Sequence, residues 1–263
     1  MIRIIIRTFF ILCLISPVAA AADDEDNELA KLFIERDVRG TIIISSLDGK
    51  KQYLYNRKRA ETRYLPASTF KIPNTLIALD EGAVASEGEM IKWDGKDKGW
   101  GPWNKDHSLK TAFPISCVWF YQELAKRVGN SKYLSHLEQL NYGNKKTGPE
   151  LTTFWLEGEL AISAHEQIEF LKKLYTEELP YKKSDIQNLK NMMIVEQSSR
   201  YTIRAKTGWA MRIKNQHGWY VGYVETEQMA WFFATNLDID NKSDAIYRKE
   251  ITIKALKLKG IIN

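Results

Sequence analysis

The residues that could do chemistry begin with Ser68-Thr69-Phe70-Lys71. A serine and a lysine three positions apart lie on one face of a helix, so the amine can reach the hydroxyl. A serine hydroxyl is a poor nucleophile until a neighbour takes its proton. A lysine in apolar surroundings has its pKa pushed down and can be that neighbour. If the serine opens the helix, its oxygen also sits in the positive end of the helix dipole. Ser68 is the only serine in the chain with a lysine at +3. A capping serine beside a solvated lysine is the alternative that so short a pattern leaves open. Phe70, Ile72, Leu76 and Ile77 weigh against it, because they make this helix core-facing and put Lys71 at risk of burial.

Two further patterns accompany the first. Ser116-Cys117-Val118 stands at the start of a helical segment and, taken alone, is no more than a serine at a helix N-terminus. The tripeptide Lys-Thr-Gly occurs twice. Lys146-Thr147-Gly148 is followed by Pro149 and lies between helical segments, which reads as a loop. Lys206-Thr207-Gly208 ends the strand-like run YTIRA and is followed by Trp209 and a second strand-like run. Lysine and threonine on an inner strand can point a cation and a hydroxyl into a cleft, and the next backbone N–H can face an oxyanion. The second copy is therefore the functional candidate. The serine elbow GxSxG is absent, and the four histidines show neither HxH nor HExxH spacing, so neither an α/β-hydrolase nor a zinc hydrolase is expected and no metal site is assigned.

These residues need elements to position them. Residues 27–37 read as a short amphipathic helix, and 41–46 with 52–56 read as a hairpin turned by Asp48-Gly49. Residues 71–80 read as a buried helix closed by Gly82, and 93–103 as an aromatic, glycine-rich loop. Helices are expected over 117–128 and 132–140. Ser163 with Glu166, and Ser184 with Gln187, read as capping boxes for two more. Strand-like runs at 201–205, 219–225 and 229–236 precede a terminal helix over 248–259. The order predicts an α+β fold: one antiparallel sheet completed by N- and C-terminal strands and flanked by N- and C-terminal helices, with an inserted all-helical lobe. A cleft between sheet and lobe is the natural place for a site.

The bulk composition fits an ordinary globular protein: 263 residues, 44% hydrophobic and 27% charged, with 8 Trp, 12 Tyr and 10 Phe, far too aromatic for a disordered chain. Residues 1–22 stand apart. Arg3 and Arg7, the apolar run at 9–15, Pro17 and the small residues of 18–22 have the order of a secretory signal peptide, with cleavage near 20–22. The apolar run is about a third of the roughly 20 residues that a membrane span needs. Cleavage leaves 36 Lys and Arg against 33 Asp and Glu, a mature charge of +3, too small to argue for nucleic acid or a membrane surface. It also leaves Cys117 as the one cysteine, so residues 23–263 are expected as a single domain with no internal disulfide. Cys117 reads as a small buried residue.

Taken together, SxxK, SxV and KTG in one exported chain resemble the active-site serine β-lactamases, most closely class D, the oxacillinase type. The resemblance spans essentially the whole mature chain and includes Pro66-Ala67-Ser68-Thr69-Phe70-Lys71, Tyr142-Gly143-Asn144, Phe154-Trp155-Leu156-Glu157-Gly158, Ile162-Ser163-Ala164, Lys206-Thr207-Gly208 and Asn236 to Asp240 with Arg248. It implies the serine β-lactamase and penicillin-binding fold, hydrolysis of β-lactams and antibiotic resistance. It implies that Ser68 forms the acyl-enzyme and that Lys71, carboxylated by CO2 and otherwise without cofactor, is the general base. Trp155 would donate its indole N–H to that carbamate, and Val118 and Leu156 would cover it. Ser116 would relay a proton to the departing nitrogen. Lys206, Thr207 and Arg248 would hold the substrate carboxylate, Gly208 and Trp209 would also bind substrate, and the N–H groups of Ser68 and Trp209 would form the oxyanion hole. Tyr142 and Asn144 look structural. The family also implies a periplasmic location after cleavage, free of the membrane, as monomer or homodimer. Penicillin-sensing receptor domains and transpeptidases share these motifs. The first follow several membrane spans, and the second normally carry an anchor and lack the Trp155 segment.

Overall fold

A computed structural model describes residues 25–263, so the signal segment lies outside the described residues. The elements in chain order are α1 (Asn27–Ile34), β1 (Gly40–Ser46), β2 (Gln52–Tyr55), α2 (Arg57–Glu61), α3 (Lys71–Asp80), α4 (Leu109–Ala112), α5 (Val118–Val128), α6 (Asn130–Leu140), α7 (Ala164–Thr176), α8 (Lys183–Met192), β3 (Ile194–Gln197), β4 (Tyr201–Ala210), β5 (His217–Thr226), β6 (Ala230–Asp238) and α9 (Tyr247–Leu258). A 3₁₀ turn, Ala67–Phe70, leads directly into α3.

The strands form one antiparallel sheet in the order β2-β1-β6-β5-β4-β3. The hairpin β1–β2 thus joins the C-terminal strands through β1 and β6, where Ile43 stands opposite Ala234. The expected α+β architecture is the observed one, with the helical segment inserted between β2 and β3. Both faces of the sheet are covered. Ile42 and Ile44 pack with Leu29, Phe33, Ile251 and Leu256 of α1 and α9, while Ile43 faces the helical lobe with Phe70, Phe154 and Trp155. That is why β1 reads as an unbroken β-branched run rather than an alternating one. Each buried Ile, Phe or Leu of these two layers contributes on the order of 1.5–3 kcal/mol.

Several local expectations shift. α1 ends at Ile34, not at 37, because the chain turns through Asp37 at φ +49 and Val38 N–H returns to Phe33 O. The Ser163–Glu166 capping box is present in both directions and opens α7, an arrangement that stabilises a helix by about 1 kcal/mol. The Ser184–Gln187 box is not. The buried Leu179 and Tyr181 set the turn so that Lys182 occupies the cap position, Ser184 falls inside the first turn, and Gln187 bonds Glu177 instead. The edge strand β3 had no apolar alternation to reveal it, since all four of its residues are exposed. β4 runs on through Ala210, so Lys206-Thr207-Gly208 lies inside a strand and not at its end.

Candidate active site

Ser68 sits in the 3₁₀ turn that opens α3, one turn of helix before Lys71. Lys71 Nζ donates to Ser68 Oγ at 3.1 Å. The lysine is 0% exposed, and its amine lies 4.9 Å from the centre of the Tyr121 ring. Tyr121 is held in turn by Thr75, whose hydroxyl is 2.8 Å from the phenol and also donates to Lys71 O. Burial lowers the Lys71 pKa from 10.5 to about 7; a charged Cys117 would oppose the shift and the Arg212 charge adds to it. Cys117 is itself buried and its thiol is pushed up to about 11 by that burial, so it stays neutral beside the amine. The sequence expectation that Lys71 would be buried therefore holds.

A second serine–lysine pair faces the first. Ser116 precedes α5 with a left-handed φ of +55, and its Oγ accepts a hydrogen bond from Lys206 Nζ. Lys206 is 4% exposed on β4. Burial, then the charges of Lys71 and Arg248, hold its pKa well below the usual lysine value. The strand that carries it has an open edge here. β3 pairs with β4 only from Thr202 to Arg204, and Ala205 N–H reaches back to Met193 O. In a regular antiparallel ladder alternate N–H groups point to opposite edges. The Thr207 and Trp209 N–H groups therefore share the Ala205 side and point out of the sheet along its open edge. The Ser68 turn packs on this edge, and Gly208 permits the approach, since a Cβ there would lie 2.8 Å from Pro66 O.

Arg248 enters from α9. Its Nε and Nη1 are buried without a hydrogen-bond partner, burial lowers its pKa to about 10, and its guanidinium is 6.0 Å from the Trp209 ring centre. Ser68, Ser116, Val118, Leu156, Thr207, Gly208, Trp209 and Arg248 all line one cavity of about 730 Å³. Lys71, Trp155 and Lys206 are buried and do not form its wall. Trp155 packs 5.9 Å from the Phe70 ring, and its indole N–H is buried with no acceptor. The one group of potential metal ligands found among the described residues, Asp80, Glu81 and His136, contributes nothing to the cavity wall.

The sequence reading gave no site role to Trp100, Trp103 or Met211, which also line the cavity. The Trp100 and Trp103 rings meet with centres 5.5 Å apart, and Met211 and Arg212 line the same cavity. Trp103 is fixed by donating to Ile115 O at 3.1 Å, and its own carbonyl accepts from Trp119 at 2.8 Å. Arg212 reaches Glu157 at 3.1 Å. Two tryptophans within a glycine-rich loop were the available signal. The first Lys-Thr-Gly lies in the loop between α6 and α7, as expected, with Lys146 exposed and Gly148 at φ +68 against Glu159. Asn144 bridges that loop, donating to Glu159 O at 2.7 Å and accepting from Ala161 N–H at 3.0 Å, and Tyr142 is buried.

The family model described as the penicillin binding protein transpeptidase domain matches residues 25–257. Among similar proteins, β-lactamase OXA-20 of Pseudomonas aeruginosa is 42% identical over 234 residues, 88% of this chain and 86% of its own. β-Lactamase OXA-48 of Klebsiella pneumoniae is 39% identical over 255 residues, 97% of this chain and 96% of its own. Among solved structures, the class D β-lactamase YbXI from Nostoc has a TM-score of 0.86 at 40% identity, covering 88% of this chain and 98% of that one. The class D β-lactamase FUS-1 from Fusobacterium nucleatum has a TM-score of 0.88 at 37% identity, covering 91% and 100%.

Proposed function

The chain belongs to the class D serine β-lactamases, hydrolases that open β-lactams and confer resistance to them, and from that premise we propose that Ser68 is the nucleophile and the cavity described above is where the substrate is opened. The observation that carries this reading is a wholly buried lysine amine 3.1 Å from a serine oxygen that faces a substrate-sized cavity. Ser68 Oγ attacks the lactam carbonyl carbon, the ring C–N bond breaks, and an ester forms. The backbone N–H groups of Ser68 and Trp209 take the charge that develops on the carbonyl oxygen. Ser116 accepts from Lys206, so its own O–H proton is left to deliver to the departing ring nitrogen. Arg248, with two buried N–H-bearing nitrogens unpartnered, binds the substrate carboxylate together with Thr207 and Lys206.

Lys71 is the residue to be carboxylated by CO2. Only a neutral amine reacts in this way, and an amine with its pKa near 7 is substantially neutral at physiological pH. Trp155 fits the group, because its buried indole N–H has no acceptor among the described residues. Trp155 would hold the group, with Val118 and Leu156 excluding bulk water, and the group would supply a basic oxygen for the Ser68 proton and for hydrolysis of the ester. No metal takes part.

We also assign residues 1–22 to a signal peptide and 23–263 to one catalytic domain. The β-lactamase relatives suggest a secreted enzyme, and the periplasm is our reading of its destination. Among the described residues no helix is long and apolar enough to cross a membrane.

A chromogenic cephalosporin in large excess over enzyme tests the activity. Sustained turnover is expected. A single stoichiometric burst that then stops would place the chain with the penicillin sensors or transpeptidases instead.

A further inference from the structure

Leu65, three residues before the nucleophile, has a carbonyl oxygen that accepts two ring N–H groups, from His217 Nε2 and Trp219 Nε1, each at 2.9 Å. The two rings come from alternate residues of β5, so they stand on one face of the sheet. Both residues are buried, His217 at 3% and Trp219 at 0% exposure. A carbonyl oxygen can only accept, so the neutral imidazole carries its proton on Nε2. Tyr64 next to Leu65 is tied the other way, exchanging backbone hydrogen bonds with Ile162 at 2.9 Å in both directions. Its ring packs against His217 at 5.2 Å. The segment is thus clamped between lobe and sheet.

The chain that leaves this clamp is strained. Pro66 has no N–H, and its carbonyl is taken by the Thr69 N–H at 3.1 Å and the Thr69 hydroxyl at 2.7 Å. Ala67 follows at φ +47, a left-handed conformation that a residue with a Cβ adopts only when its surroundings over-determine it. Ser68 is next. We propose that His217 is a positioning residue for the reaction: with Trp219 it holds the Leu65 carbonyl and so fixes the Ala67 turn that aims Ser68 Oγ into the cavity. His217 also begins β5 directly after the stretch whose Met211 and Arg212 line that cavity, and Gln216 beside it accepts from Trp209 Nε1 at 2.9 Å. One side chain therefore ties the cavity rim to the nucleophile's turn. The inference rests on Ser68 being the nucleophile.

The test is the single-turnover acylation rate of the full enzyme with benzylpenicillin as probe, read as the gain in intact mass of quenched samples. His217→Leu keeps bulk and removes the donor, and is expected to slow acylation about tenfold while leaving the concentration for half-saturation unchanged. His217→Gln restores an N–H at a similar reach and is expected to acylate within about twofold of the parent enzyme. Trp219→Phe, which keeps a ring and loses the other donor, is expected to slow acylation like His217→Leu, and it decides the matter alone if His217→Leu does not fold. Parental rates in the donor-deleted variants, or a Gln variant as slow as the Leu variant, would overturn the assignment. Ser68→Ala is run beside them. An adduct surviving in Ser68→Ala would sink the nucleophile assignment. Loss of the adduct there, with unaltered rates in the His217 and Trp219 variants, would sink only the clamp.

Discussion

The cleft holds two serine–lysine pairs, Ser68 with Lys71 and Ser116 with Lys206, and the two are built differently. Ser68 and Lys71 are three residues apart on one turn of one segment, so local helical geometry alone brings them to 3.1 Å. Ser116 and Lys206 come from opposite sides of the cleft, 90 residues apart, and meet only because the lobe packs on the open edge of β4. Both lysines are buried and both have lowered pKa values. Burial is the main cause for both; the Arg212 charge adds to it at Lys71, and the charges of Lys71 and Arg248 add to it at Lys206. In the proposed reading the same pair of residue types serves two tasks: a local pair that makes a nucleophile, and a long-range pair that holds a proton donor over the leaving group.

The difference is open to direct attack. Lys71→Ala removes the amine that bonds Ser68 Oγ and is expected to lower turnover by about 10²–10⁴-fold, with no recovery on adding bicarbonate. Recovery with bicarbonate would mean that the base lies elsewhere. Ser116→Ala leaves Ser68 and Lys71 in place and removes the proposed proton donor. It is expected to lower kcat by about 10²-fold, least for substrates whose ring nitrogen departs easily. An equal loss for all substrates would show that the second pair does not act at the leaving group. Trp155→Ala is expected to raise several-fold the bicarbonate concentration needed for half-maximal activity, and an unchanged requirement would remove the proposed indole hydrogen bond.

The fourth prediction concerns stability. With a folded pKa of about 7 against 10.5 when exposed, Lys71 binds fewer protons folded than unfolded between those pH values. Stability from this group therefore rises with pH across that window, and its burial cost is felt in full below it. In CO2-free buffer, Lys71→Met is expected to raise Tm most near pH 7, with the advantage fading toward pH 10. A Tm difference that is flat with pH would show that the folded Lys71 titrates normally.

The two Lys-Thr-Gly copies show how much the sequence disclosed. Strand context separated them: Lys206 lies buried on β4 at the cleft, and Lys146 lies exposed in a loop. Lys146→Ala is expected to change neither kcat/KM nor stability beyond about 0.5 kcal/mol. The sheet, the inserted lobe and the burial of Lys71 were legible because they follow from apolar periodicity and local spacing. The extent of β4 was not, since its last residues pair only with β5 and are mixed in character, Lys206 to Ala210. β3 and the Ser184 position failed for a similar reason, being set by neighbouring packing rather than by their own residues. His217 was invisible, because a lone histidine two residues before a tryptophan carries no pattern. Only the approach of Leu65 O to both rings gives it a place. Trp100, Trp103 and Met211 likewise acquire meaning from the cavity they line.

The central claim is that Ser68 carries a transient acyl group. It is tested most directly by quenching the enzyme in acid within turnover of benzylpenicillin, digesting it with trypsin, and weighing the peptide of residues 64–71. The peptide is expected to gain the full mass of the penicillin, because ring opening loses no atoms, with fragmentation placing the gain on Ser68. The adduct is expected to vanish once substrate is exhausted. An adduct on another residue, no adduct during steady turnover, or one that persists after the penicillin is gone would contradict it.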